Sequence, residues 1–185
     1  EENKSAEVVK MVTSLSDFFR TTLSKGHDYI TVKEERTHIE SYLEIQQFRY
    51  QDILDYEIQM DEEIYGYIIP KLTLQPLVEN ALYHGIKNKR GKGKILITGK
   101  KQGDKIIFQV IDNGKGMTEE ELNSLRKKMA GTDTGDEAKG FGVSNVNQRI
   151  KYYYGEEYGV FFESKENEGT NATIIIAAKN IQLLS

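Results

Sequence analysis

Residues 72–88 read LTLQPLVENALYHGIKN. Leu74, Leu77, Val78, Ala81 and Leu82 recur at three- and four-residue spacing, which predicts an amphipathic helix with one buried stripe, running from Lys71, just after Pro70, to about Lys87. On another side Asn80, His84 and Lys87 stand at i, i+4 and i+7 and align with one another. A carboxamide, an imidazole and an ammonium along one edge suit a hydrated magnesium ion with phosphate oxygens, because magnesium prefers hard oxygen ligands and keeps several waters. An ordinary solvated helix face presents the same kind of trio, so this helix alone leaves both readings open.

Downstream, Val110-Ile111-Asp112-Asn113-Gly114-Lys115-Gly116-Met117 carries an apolar strand into an aspartate and two glycines. Glycine admits positive φ and close approach of a ligand to the backbone, and a carboxylate at a strand end can accept from an adenine amino group. The same residues also make a good plain turn. Lys139-Gly140-Phe141-Gly142-Val143-Ser144-Asn145 places a glycine pair before a helix, where free N–H groups and the helix dipole favour phosphate. The GxxxxGK[ST] pattern is missing there, which excludes a P-loop, and no parallel βαβ unit surrounds it, which argues against a dinucleotide fold. Glu168-Gly169-Thr170 leads into the last strand and by itself is only a hairpin turn.

The remaining pattern frames these motifs. Strands are predicted over 53–60, 95–98, 105–112, 159–164 and 172–178, and helices over 118–129 and 143–154. Thr118 and Glu121 form a capping pair, and 131–140, rich in Gly, Thr and Asp, reads as a mobile loop. This order argues for an α+β fold, a two-layer α/β sandwich with a mixed, mostly antiparallel sheet. Ahead of it lie two amphipathic helices. The first carries Val8, Met11, Val12, Leu15, Phe18, Phe19 and Leu23; the second opens at the Thr31/Glu34 capping pair and runs to about Tyr50, with Ile39, Tyr42, Leu43 and Gln46 in register. A break at Lys25-Gly26-His27-Asp28 makes them a helical hairpin, which either packs on a partner chain or covers the domain that follows.

The 185 residues, 38% hydrophobic and 29% charged, suffice for one compact domain plus a smaller element. A net charge of −4 gives no general pull toward nucleic acid or anionic lipid, and the lack of cysteine excludes disulfides and thiolate metal sites.

Taken in order, the Asn-bearing helix, DxGxG after a strand, a polar loop, GxG before a helix and Gly-Thr before a strand resemble the Bergerat ATP-binding fold of the GHKL superfamily, which includes histidine kinases, type II topoisomerases and heat-shock chaperones. LTLQPLVENALYHG is similar to the N box of the LytS/YesM-type sensor histidine kinases, and TVKEERTHIESYLEIQQFRY (31–50) resembles their internal kinase segment. The resemblance spans about 13–178. It implies a remnant of the dimerisation region over 1–52 and an ATP-binding catalytic domain over 53–180, with ATP and Mg2+ as cofactors. Asn80 would coordinate the magnesium and His84 would line the pocket. Asp112 would select adenine, with Gly114 and Gly116 leaving room for the purine. Gly140 and Gly142 would flank a lid of about 118–139 and contact phosphates, and Thr170 would support the adenine end through water.

Two departures stand out. Tyr83 occupies a position where many histidine kinases carry Lys or Arg, so Lys87 becomes the candidate substitute. Pro76 occupies the position of the hydrolytic glutamate of related ATPases, which disfavours free hydrolysis. The resemblance further implies transfer of the ATP γ-phosphoryl group to a histidine in an Asn-Pro-His-Phe context upstream of Glu1, with relay to a response regulator receiver domain. It implies a homodimer, and a cytoplasmic domain of a protein anchored in the bacterial cell membrane. None of His27, His38 and His84 has the surroundings of that acceptor, so the chain is expected to bind ATP without labelling itself. A GHKL ATPase driving dimer closure and a non-catalytic dimerising scaffold are the alternatives.

Overall fold

A computed structural model describes residues 2–22, 28–89, 91–131 and 141–180. Helix α1 (Glu2–Thr22) lies antiparallel on α2 (Val32–Arg49), with Lys10 paired to Glu44 at 3.1 Å and Phe18 packed on His38 and Tyr42. The predicted capping box is present at the start of α2: Glu34 N–H donates to Thr31 Oγ1, and Glu34 Oε2 accepts from Thr31 N–H. Of the two roles open to the hairpin, α2 covers the following domain through Ile39, Tyr42 and Leu43, whereas α1 leaves much of its apolar stripe exposed. Its Val8, Val12 and Phe19 are 56%, 61% and 51% exposed. The turn expected at 25–27 lies outside the described residues.

The main sheet has five strands in the order β2 (Leu54–Met60), β4 (Gly93–Gln102), β5 (Lys105–Asp112), β7 (Gly169–Ala177), β6 (Gly159–Lys165). Only β2–β4 is parallel; the other pairings are antiparallel, as expected of a mixed sheet. Alternation along β5 buries Ile106, Phe108 and Val110 on one face, and β7 buries Ala172, Ile174 and Ile176 beside them. Against that face pack α2, α4 (Glu119–Met129) and α5 (Phe141–Tyr154), together with a helical run through 75–88. The core is shared: Ile39, Tyr42 and Leu43 of α2 belong to the same buried cluster as Ile97, Phe108 and Ile174 of the sheet.

A second, two-stranded sheet, β1 (Tyr29–Thr31) with β3 (Ile68–Pro70), escapes the pattern analysis, because three-residue strands carry no readable period. The helix expected from Lys71 begins four residues later. Leu72 sits at φ 59, a region closed to helix, and α3 (Gln75–Asn80) starts with Pro76 in its first turn, where the missing N–H costs nothing. The helical run then changes pitch: Ala81–Gly85 is a π turn and Ile86–Asn88 a 3-10 turn. The last strand begins at Gly169 rather than 172, so Thr170 lies within the ladder, and α5 begins at Phe141, so Gly142 lies inside its first turn. Gly140 and the loop residues 132–139 lie outside the described residues.

Candidate functional site

The alternation that buries Ile106, Phe108 and Val110 continues to Asp112, leaving this carboxylate 5% exposed at the end of β5. Glycines surround it. A Cβ on Gly85 or on Gly114 would come within 2.6 Å of Asp112 Oδ1, and one on Gly169 would meet the Asp112 backbone. Gly85 and Gly169 lie inside the quoted motifs but carry no site role there; the signal for Gly85 was the His-Gly pair closing the 72–88 helix. Gly114 N–H donates to Asp112 Oδ1 at 2.8 Å. Burial lifts the Asp112 carboxyl to about 6, against the N–H groups of Gly114 and Thr170 and the charge of Lys89, which pull it down. A buried acceptor with spare lone pairs beside side-chain-free backbone suits the edge of a flat heterocycle bearing an amino group.

The loop after Asp112 is tied on every side. Asn113 Oδ1 accepts from Lys94 N–H at 2.8 Å, Lys89 Nζ donates to Asn113 O at 2.6 Å, and Lys115 N–H donates to Gly85 O at 3.3 Å. Gly116, at φ 63, is held against Lys165 and Gly169, so its glycine is required by loop packing whatever else it does. Ser164 is a further residue that sequence reasoning passed over. Its hydroxyl accepts from Met117 N–H at 2.9 Å, contacts Thr170 Oγ1 at 2.9 Å and donates to Gly169 O at 2.8 Å. Thr170 pairs with Asp112 across the ladder, which brings the two residues together as neighbours.

The π turn sets the other wall. At about 100° per residue an α-helix would place Gly85 some 140° around from Asn80; bonding from Ile86 N–H back to Ala81 O adds a residue to the turn and narrows that angle. Half-buried Asn80 is thereby turned toward the side of the glycine that abuts Asp112. Its amide forms no hydrogen bond to the described residues, leaving an oxygen free for a hard cation. His84 is exposed within the π turn.

Lys87 does not follow the alignment predicted for it. Its ammonium lies 4.8 Å from the Tyr50 ring centroid and 4.6 Å from that of Tyr83, and donates to Tyr50 Oη at 3.1 Å. The i, i+7 argument assumed an unbroken 3.6-residue period, which the π turn interrupts. Gly142 faces the start of α3, where a Cβ would stand 3.3 Å from Pro76 Cβ. Among the described residues no cluster of three His, Asp or Glu forms a metal cage.

A five-stranded mixed sheet with helices on one face makes an α+β sandwich, with the buried Asp112 carboxylate set among glycines at a strand end. The family model of the histidine kinase-, DNA gyrase B- and HSP90-like ATPases matches residues 70–180, and a histidine kinase model matches residues 1–54. The chain belongs to the histidine kinase-, DNA gyrase B- and HSP90-like ATPase family. It is 34% identical over 178 residues to the sensor histidine kinase YesM of Bacillus subtilis, covering 96% of this chain and 29% of that protein. It is 29% identical to the sensor protein LytS of Staphylococcus saprophyticus, covering 96% and 30%. The chain therefore spans about a third of the length of these curated relatives. In fold it is similar to the nucleotide-free catalytic domain of histidine kinase ThkA, with TM-score 0.61 and 18% identity, covering 82% of this chain and 97% of that one. ThkA has also been solved with the response regulator TrrA (TM-score 0.59, 17% identity, 95% and 49% covered).

Proposed function

We propose that this chain is the ATP-binding catalytic region of a sensor histidine kinase. The observation that carries the reading is the buried Asp112 carboxylate between Gly85 and Gly114, with Gly169 against the Asp112 backbone and an Asn80 amide that bonds to none of the described residues. In this reading Asp112 accepts from the adenine amino group, and the glycines leave room for the ring. Thr170 and Ser164 steady that end of the site, Asn80 supplies an amide oxygen to Mg2+, and His84 lines the mouth. Gly142, in the first turn of α5, would contact the phosphates; Gly140 lies outside the described residues.

Bound Mg-ATP supplies the γ-phosphoryl group. It passes to an imidazole nitrogen on another segment: the P–O bond to ADP breaks, a P–N bond forms and the imidazole proton leaves to solvent. The protein's part is to orient the nucleotide and stabilise charge, which is most of what phosphoryl transfer asks of it. Pro76, in the first turn of α3, puts no carboxylate where a hydrolytic base would stand. Nor is His38 available as the acceptor, since it is buried and bonded to Gln75 at 2.6 Å.

The exposed Val8, Val12 and Phe19 stripe supports contact with a second protomer, and relay to a response regulator receiver domain follows from the kinase reading. We retain 1–52 as the helical remnant and 53–180 as the catalytic domain. In this reading the whole protein is anchored in the bacterial membrane and this region faces the cytoplasm.

The test is thermal denaturation with Mg-ATP or Mg-ADP. At ~100 times Kd, linkage gives about 2.7 kcal/mol, which for a chain of this size is roughly 5–10 °C. No shift with either nucleotide refutes the assignment.

A further inference from the structure

Helix α3 has no cap of its own. Leu74, at its N-cap, makes no side-chain capping bond, although a buried helix start needs partners for its free N–H groups. The partner comes from a different segment. Glu35 of α2, fully buried, accepts from Leu72 N–H at 3.1 Å and from Leu74 N–H at 2.7 Å. Burial raises its carboxyl to about 7, against the pull of the Leu74, Leu72 and Thr73 N–H groups and of Arg149.

The turn that Glu35 grips is strained: Leu72 is held at φ 59, where an L side chain crowds its own backbone. From the opposite side Arg149 of α5 donates to Leu72 O at 3.2 Å. One residue is thus clamped by its N–H to α2 and by its carbonyl to α5, immediately ahead of the helix that carries Asn80.

A second link lies one turn along α2. His38 Nε2 is hydrogen-bonded to Gln75 Oε1 at 2.6 Å, and Gln75 Nε2 donates to Glu79 Oε1 at 2.8 Å. Phe18 of α1 stacks on His38 with ring centroids 4.7 Å apart. Contacts therefore run without a gap from α1, through α2, to the residue beside Asn80. Leu74 has no side-chain oxygen to cap α3 locally; the chain places the acceptor on the helical segment instead, which makes the start of α3 depend on where α2 sits.

We propose that Glu35 is a positioning residue for the nucleotide site, seating the Leu72–Leu74 turn so that displacement of the helical segment moves Asn80 and changes nucleotide affinity. This rests on the nucleotide reading above. Removing the carboxylate leaves the buried Leu74 N–H and the part-buried Leu72 N–H without their acceptor and frees Leu72 to leave its strained conformation, and α3 shifts at the end nearest α2. By linkage the effect is reciprocal: nucleotide binding steadies α2 as much as α2 steadies the site.

The experiment measures the Mg-ADP Kd of the 185-residue chain by calorimetry, at a temperature where circular dichroism shows every variant folded. Glu35→Ala is expected to weaken binding about tenfold or more, within the usual range of coupling between sites. Glu35→Gln keeps one acceptor oxygen and loses less. Ile176→Val, at the opposite end of β7 from Asp112, is the control for general destabilisation and stays within about twofold. Hydrogen exchange supplies a readout that a merely structural role would not move: Mg-ADP slows the α2 amides in the wild type and not in Glu35→Ala. Binding by Glu35→Ala within twofold of wild type, or a loss matched by Ile176→Val, overturns the proposal. If Glu35→Ala does not fold, Glu35→Gln decides, and wild-type affinity and exchange in it overturn the proposal. A wild type that binds no Mg-ADP removes the nucleotide reading and the proposal with it; a wild type that binds beside an unaffected Glu35 variant removes the proposal alone.

Discussion

Asp112→Asn should stabilise the free protein at neutral pH and abolish nucleotide recognition. The folded state raises the Asp112 carboxyl from 3.8 to about 6, chiefly by burial. At about 1.4 kcal/mol per pKa unit, holding it ionised above pH 7 costs the fold about 3 kcal/mol. The sign follows from proton counting. Between pH 3.8 and about 6 the folded chain keeps a proton that the unfolded chain has released, so stability falls as pH rises through that window and then levels. Asparagine never ionises, and its Oδ1 can take over the bond from Gly114 N–H. Some charge-assisted bonding is lost with the carboxylate, so the net gain at pH 8 is ~1–3 kcal/mol, or roughly 2–10 °C in Tm. Near pH 5 the gain shrinks to about half, because the wild-type carboxyl is then mostly protonated. Toward adenine the substitution acts in the opposite direction. With its oxygen engaged by Gly114, the carboxamide would present its NH2 to the adenine amino group, donor against donor, costing on the order of 2 kcal/mol or more in affinity. Melting curves at the two pH values, with and without Mg-ADP, measure both effects. A Tm at pH 8 below that of wild type refutes the burial argument. A full nucleotide-dependent shift in Asp112→Asn refutes the adenine assignment.

Three further outcomes follow from the same geometry. Asn80→Ala removes a half-buried side chain without a bonded partner, so stability should change by no more than ~0.5 kcal/mol, while the magnesium-dependent part of ADP affinity disappears in titrations run with and without the metal. Gly114→Ala forces a Cβ to within 2.6 Å of Asp112 Oδ1; overpacking of this kind costs ~1–3 kcal/mol, and calorimetry should show it together with lost nucleotide binding. Lys87→Ala should lower stability by only ~0.5–1 kcal/mol, the worth of an exposed cation–π contact, and leave the Kd for Mg-ADP unchanged, since the ammonium rests on Tyr50 and Tyr83. A Kd raised by Lys87→Ala returns that residue to the phosphate site.

Much of this protein can be read from local pattern. The period-two run through Ile106, Phe108 and Val110 ends on Asp112, and continuing the count puts the carboxylate inside the fold. The Thr31/Glu34 and Thr118/Glu121 boxes mark two helix starts to the residue, because a capping box is a contact between neighbours in sequence. The order of motifs was enough to point to the family, because order along a chain needs no geometry. Only the folded structure decided that Gly85 and Gly114 close around the carboxylate of Asp112 while Gly169 packs on its backbone. It also decided that a π turn carries Lys87 to Tyr50, and that Glu35 caps a helix starting nearly forty residues further along the chain. Periodicity reports which face of an element is buried but not what it is buried against. A pairing across dozens of residues depends on how elements stack in the core, and on a change of helical pitch that no residue type between Ala81 and Gly85 announces.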